Sequence, residues 1–267
     1  MNKETWNTFQ KTREQFRNLV NELSESLPGL RDIQQEFVNN RSENAEENSN
    51  GNSVYTVETP VVYNTALDDI TINDEIKLIL VADNPGRREQ LAENRRYLVG
   101  PSGKIAQKFF RDNPSLGIDF QKNVIILNKT PIHTPRTADL RKLCRVNNEQ
   151  KTKNHQILGL EQLSEVLKDS QKTMAELLFK FHEAFGCPVW IIGYSEMRNK
   201  GIFEVYTESL KQIYTVNKNL YKHIYLYRHF SMNQFTIDLN KQALPEETTA
   251  KSLKRIGTAY KQRILGL

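Results

Sequence analysis

The chain has 267 residues but only two cysteines, Cys144 and Cys187. Two thiols alone cannot complete a four-thiolate zinc or iron–sulfur site. No apolar run approaches the roughly 18 residues of a membrane span. The polar start, Met1-Asn2-Lys3-Glu4-Thr5-Trp6, lacks the apolar stretch of a secretory signal, so free thiols in the cytoplasm are the expected state. The G-x-x-x-x-G-K-[ST] spacing of a phosphate loop is missing, as are H-E-x-x-H and any other closely spaced metal-ligand group. No internal repeat is visible. Neither a metal nor a cofactor is expected.

What is present is apolar material for a core, at 38% of residues, and a basic excess of +5. The excess is uneven. Residues 1–54 hold six Lys/Arg against nine Asp/Glu, and the remainder holds 31 against 23. A basic body behind an acidic N-terminal segment suits a polyanionic partner.

Residues 4–38 read as helix. Trp6, Phe9, Phe16, Leu19, Val20, Leu23 and Leu27 form a stripe interrupted at Pro28-Gly29, and a second short helix is expected over Leu30–Val38. Asn39–Ser53, rich in Asn, Ser, Glu and Gly, reads as a linker. This divides the chain into an N-terminal helical arm with its linker, 1–53, and a body, 54–267. The arm's apolar face must be covered, by the body or by a protein partner.

In the body, Ile76–Ala82, Asn123–Leu127, Pro188–Ile192 and His223–Tyr227 read as buried strands. Helical patterns separate them: Ser102–Asp112, Leu158–Phe185 and Phe203–Tyr214, with Phe235–Gln242 and Thr248–Ile264 after the last. Strands alternating with helices predict an α/β fold with a parallel sheet and helices on both faces.

Ligands of open parallel sheets bind beyond the carboxyl ends of the strands. There the chain places Asp83-Asn84-Pro85-Gly86, then Asn128-Lys129-Thr130-Pro131, then Gly193-Tyr194-Ser195, then Arg228-His229-Phe230-Ser231-Met232. Three ends out of four deliver a carboxylate, an amide or an imidazole to one rim. Singly, each has a plainer role: a turn at Asp83–Gly86, a loop-backbone contact at Asn128, a structural histidine at His229, a helix cap at Ser102.

Taken in order, these segments resemble the uracil-DNA glycosylase superfamily. Leu80-Val81-Ala82-Asp83-Asn84-Pro85-Gly86-Arg87-Arg88-Glu89 and Tyr97-Leu98-Val99-Gly100-Pro101-Ser102-Gly103 are similar to its opening motif, G-E-x-P-G followed by P-F-V-G-x-x-G. Ile125-Ile126-Leu127-Asn128 is similar to the strand whose terminal Asn reads the uracil edge. His229-Phe230-Ser231 is similar to the late His-Pro-Ser motif. The resemblance implies a three-layer α/β/α sandwich with a four-stranded parallel sheet. It implies hydrolysis of the N-glycosidic bond of uracil or another deaminated base flipped out of DNA.

Carried over, Asp83 and Asn84 take the carboxylate and water-positioning places, and His229 takes that of the donor to uracil O2. Asn128 becomes the base-reading amide. Arg87, Arg88, Lys129 and Arg136 become phosphate contacts, with Ser231 and Met232 on the loop that enters the duplex. The aromatic that stacks on the base falls on Leu98, and Tyr97 takes the preceding proline position. Either Tyr97 turns in to stack, or the pocket is altered. Ala82 replaces the opening glycine, Phe230 replaces proline, and the iron–sulfur cysteines are missing. DNA is the expected partner and no membrane is. The alternative is a glycosylase-fold module that binds nucleic acid or a nucleotide with little or no cleavage.

Overall fold

The computed structural model describes residues 1–43, 55–144 and 162–267. Among them, β1 (Leu78–Ala82), β2 (Val124–Asn128), β3 (Val189–Ile192) and β4 (Ile224–Tyr227) form one parallel sheet in the order β2-β1-β3-β4. The chain leaves β1 for β2 on one side, then crosses to β3 on the other. The topological switch therefore lies between β1 and β3, where open α/β sheets form their ligand crevice.

Strand alternation sorts the core into two layers. Ile79, Val81, Ile125, Leu127, Val189, Ile191, Ile224 and Leu226 pack in one apolar cluster. That cluster takes in α1 (Lys3–Ser26), α2 (Leu30–Glu43), α5 (Leu163–Phe185) and α6 (Glu204–Val216). Leu78, Leu80, Ala82, Trp190, Ile192, Tyr225 and Tyr227 pack in the other. There they meet α3 (Pro101–Asp112), α8 (Gln234–Gln242) and α9 (Thr249–Leu265). Two short helices, α4 (Leu140–Leu143) and α7 (Lys218–Tyr221), fill connections. This is the three-layer α/β/α arrangement that the alternation of strands and helices predicts. No helix among the described residues is long and apolar enough to cross a membrane.

The N-terminal helices are packed onto the body rather than held out from it. Asn2 caps α1 through the Thr5 amide at 2.7 Å. Phe9, Phe16, Val20 and Leu23 then repeat at helical spacing and are buried, mainly against α5. The Phe9 and Phe181 rings sit 5.9 Å apart. In α2, the fully buried Gln34 donates to the Pro60 and His133 carbonyls at 3.0 and 2.7 Å. Helix α2 also runs on to Glu43, past Val38 and into the stretch read as linker. Once a helix is nucleated, exposed polar residues add to it at little cost. The rest of that stretch, 44–53, lies outside the described residues, as do 158–161 of the helix expected to begin at Leu158.

Candidate functional site

Each strand delivers one element to the carboxyl edge. After β1, Asp83 lies at the switch point. Its Oδ1 accepts from the Lys129 ammonium at 2.5 Å. Lys129 follows β2 directly and is 0% exposed. It also donates to the Ile192 carbonyl at 2.6 Å, reaches the Ala82 carbonyl at 3.5 Å, and lies 5.0 Å from the centre of the Phe203 ring. One buried lysine thus ties the ends of β1, β2 and β3 together. Burial pushes its pKa down, and the Asp83 charge offsets part of that push. The expected phosphate contact at Lys129 is therefore corrected: a sealed ammonium with acceptors inside the protein cannot reach a DNA backbone. Sequence hides this, since a buried Lys looks the same as a surface one.

Gly193, after β3, makes room for the pair. Its φ is +79°, and a Cβ there would sit 2.5 Å from Asp83 Oδ1 and 2.9 Å from Oδ2. The backbone conformation and the close approach both require glycine.

Asn84 is held by its amide nitrogen. It donates to Thr134 Oγ1 at 2.9 Å and to the Ile132 carbonyl at 3.3 Å. Its side-chain oxygen remains available as an acceptor. The loop that holds it is rigid: His133 Nδ1 meets the Pro85 carbonyl at 2.8 Å, and Tyr55 Oη meets Nε2 at 3.1 Å. Burial drives His133 down to about 4, so it is a neutral structural group.

Asn128 closes β2 in register with Ala82. It is 1% exposed, and neither its side-chain nitrogen nor its oxygen has a hydrogen-bond partner. An unsatisfied buried amide costs about 1–3 kcal/mol per group. The fold carries that cost at the carboxyl end of β2 with both atoms closed off from solvent, so a base reaches them only when the side chains covering them move aside.

His229, after β4, is half-buried. Its Nδ1 accepts the Ser231 amide at 3.0 Å, which leaves the proton on Nε2 when the ring is neutral. Burial lowers its pKa; Asp83 pulls it back up and Lys129 pushes it further down. The imidazole thus shares one electrostatic site with that pair. At neutral pH it presents a neutral Nε2–H donor.

Tyr97 and Leu98 part company. Leu98 has φ +54°, so consecutive side chains go to opposite layers. Tyr97 is buried in the α1 layer, where its hydroxyl donates to the Val62 carbonyl at 2.6 Å. Leu98 packs in the α3 layer with Ala82, the register partner of Asn128. Tyr97 is therefore not a base-stacking ring. Leu98 is the side chain on the Asn128 side of the sheet, and the wall it offers is aliphatic. A Cβ at Gly103 would overlap the Leu98 carbonyl, which is why glycine follows at that spacing.

Glu89, which sequence reasoning passed over, clasps this loop. Its carboxylate accepts from the Gly86 amide at 3.0 Å and the Leu98 amide at 2.8 Å. Burial raises its pKa from 4.5 to about 7, against the pull of those two amides. The native state therefore holds this proton more tightly than the unfolded chain does. Its contribution makes stability fall as pH rises from about 4.5 to about 7, and then level off. Glu89→Gln is expected to lose that slope. In thermal melts the variant should gain on wild type by up to about 3 kcal/mol across the window. His133 and His182, both pushed down to about 4, slope the other way in both proteins and cancel in the difference. A difference that stays constant from about pH 5 to 7 would overturn the assignment.

At the rim, Arg87 lies 5.0 Å from the Tyr55 ring, and Arg88 and Arg136 are exposed. Ser231 is half-buried. Met232 is 83% exposed, and both it and Asn233 adopt left-handed backbone, with φ +52° and +55°. A cavity of about 530 Å³ opens along the β2 edge between Tyr97, Leu98, Val124, Ile126, Arg96 and Lys104. Asp83, Asn84, Asn128 and His229 do not line it. Among the described residues no group of three His, Cys, Asp or Glu side chains is placed to hold a metal ion. No family model matches the chain, and no curated protein matches it.

Proposed function

We propose that this protein is a monofunctional DNA glycosylase acting on uracil or another deaminated base. The reading is carried by Asn128, a buried amide with both polar atoms unpartnered at the carboxyl edge of the sheet. An Asn amide offers one donor and one acceptor side by side. That pattern is the complement of the N3–H and O4 edge of uracil, and of the same lactam edge in other deaminated bases. Cytosine presents the opposite pattern there, which the amide meets only after a 180° flip.

The neighbours supply the rest of the chemistry. The His229 Nε2–H donor meets uracil O2, where charge gathers as the base departs; one such donor is worth about 10²–10³ in rate. The Asn84 oxygen accepts a hydrogen bond from the attacking water and orients it. The water oxygen bonds to C1′, the bond from C1′ to the base (N1 of uracil, N9 of hypoxanthine) breaks, and its electron pair leaves with the base. The proton released by the water passes to solvent or to the departing base. Asp83 keeps negative charge near a sugar that turns positive, with Lys129 setting its position.

The test is release of free base from oligonucleotides carrying uracil or hypoxanthine. Wild type is expected to release one of them, and Asn128→Ala to lower that release about 100-fold or more. Release from neither substrate overturns the reading. A second reading, a binding module with little cleavage, is favoured by one observation: Lys129 matches the charge that Asp83 would otherwise offer the sugar. Salt-sensitive DNA binding without base release selects it.

A further inference from the structure

Tyr194 follows Gly193 at the end of β3, and its ring sits 4.5 Å from that of Tyr260 on α9. Three arginines surround this pair. Arg263 lies 5.2 Å from the Tyr194 ring centre and 4.9 Å from that of Tyr260. Arg198 lies 5.8 Å from the Tyr194 ring centre. Arg228, the residue before His229, is within electrostatic reach of both tyrosines and pairs with Asp238 at 3.3 Å.

The platform is held rigidly. The Tyr260 hydroxyl donates to Asp238 at 2.8 Å and accepts from Gln242 at 2.6 Å. Arg198 and Arg263 are exposed, and neither has a carboxylate within ion-pair distance among the described residues. Guanidinium groups laid on aromatic rings lose less freedom when they bind, and their edge N–H groups still point outward for a second partner.

We infer that Arg198, Arg228 and Arg263, ordered by the Tyr194–Tyr260 pair, form a phosphate track for the DNA strand beside the β3–β4 side of the site. The inference rests on the glycosylase reading and says along which side of the site the strand runs. Position favours a nucleic acid over an acidic protein. Arg228 adjoins His229, Tyr194 adjoins Gly193 against Asp83, and Met232 projects from the same β4 loop. A strand of singly charged phosphodiesters that enters the proposed site from the β3–β4 side passes these guanidinium groups. A planar guanidinium matches phosphate in two-point contact.

The test compares wild type with Arg198→Gln/Arg263→Gln, two exposed substitutions away from the proposed catalytic groups. Binding of a fluorescent, lesion-free 20-mer duplex is followed by anisotropy from low to moderate salt. The inference expects weaker binding and a log K against log salt slope shallower by about 1.8, the release expected for two duplex phosphates. Arg198→Lys/Arg263→Lys is expected to restore most of that slope. An unchanged slope in the Gln variant overturns the track. So does competition by polyglutamate as effective as that by DNA, which would mark a protein-binding surface. Base release by wild type is measured alongside. Release with an unchanged slope sinks the track alone, and a changed slope without release sinks the glycosylase reading alone.

Discussion

Asp83→Asn combined with Asn84→Ala should reduce base release by about a thousandfold or more in a variant that still folds, though with lower stability. The pair of changes removes the charge near the sugar and the acceptor that orients water, and positioned groups of this kind contribute about 10²–10⁴. Asparagine is chosen as the replacement for Asp83 for a physical reason. Asp83→Ala would leave the fully buried Lys129 ammonium without its anion. Breaking a buried pair from one side costs about 3–5 kcal/mol, so an inactive alanine variant could simply be unfolded. Asparagine removes the charge as well, but its side-chain oxygen still accepts the Lys129 hydrogen bond, so it costs less stability than alanine. Release is measured with enzyme in excess over a labelled oligonucleotide, beside a melting curve. A folded double variant that releases base at the wild-type rate removes both residues from the chemistry.

Gly193→Val is expected to be the most damaging single change of a residue that touches no ligand. Its φ of +79° strains any side chain, and a branched one most. The new Cβ would also fall 2.5 Å from Asp83 Oδ1. The carboxylate cannot retreat without pulling away from Lys129, which has nowhere to find water. Strain and the broken pair together predict a loss of about 3–5 kcal/mol in urea unfolding. Base release in any remaining folded fraction should fall with it. Gly193→Ala should cost less, since its methyl is the smaller group. A valine variant within about 1 kcal/mol of wild type, with release retained, would show that Asp83 and Gly193 are not wedged together.

Strand positions were readable because β1, β3 and β4 are buried on both faces, and such strands appear as unbroken apolar runs. The helix expected over Ser102–Asp112 differs from α3 by one residue at its start, since Pro101 suits a first helical turn. Tyr97 was the ambiguous position. The motif aligns it beside Leu98, and only the left-handed backbone at Leu98 sends the two side chains to opposite layers. The N-terminal helices were legible as amphipathic, but an apolar stripe does not say what covers it. Packing against α5 supplies that answer.

Composition, spacing and the alternation of strand with helix determined the layered α/β class, the order of the elements and the polar residues at each strand end. Those are local properties, written in periods of about two and 3.6 residues. Tertiary structure alone decided that Lys129 is sealed against Asp83, that Gly193 makes room for the pair, that Glu89 spans its loop, and that three arginines gather on two tyrosines. The first two depend on groups 46 or more positions apart, the third on a buried carboxylate bridging its own loop, and water exclusion at those places reverses what the same side chain would do on a surface; the arginines, which stay exposed, gather because two tyrosines from distant elements pack together.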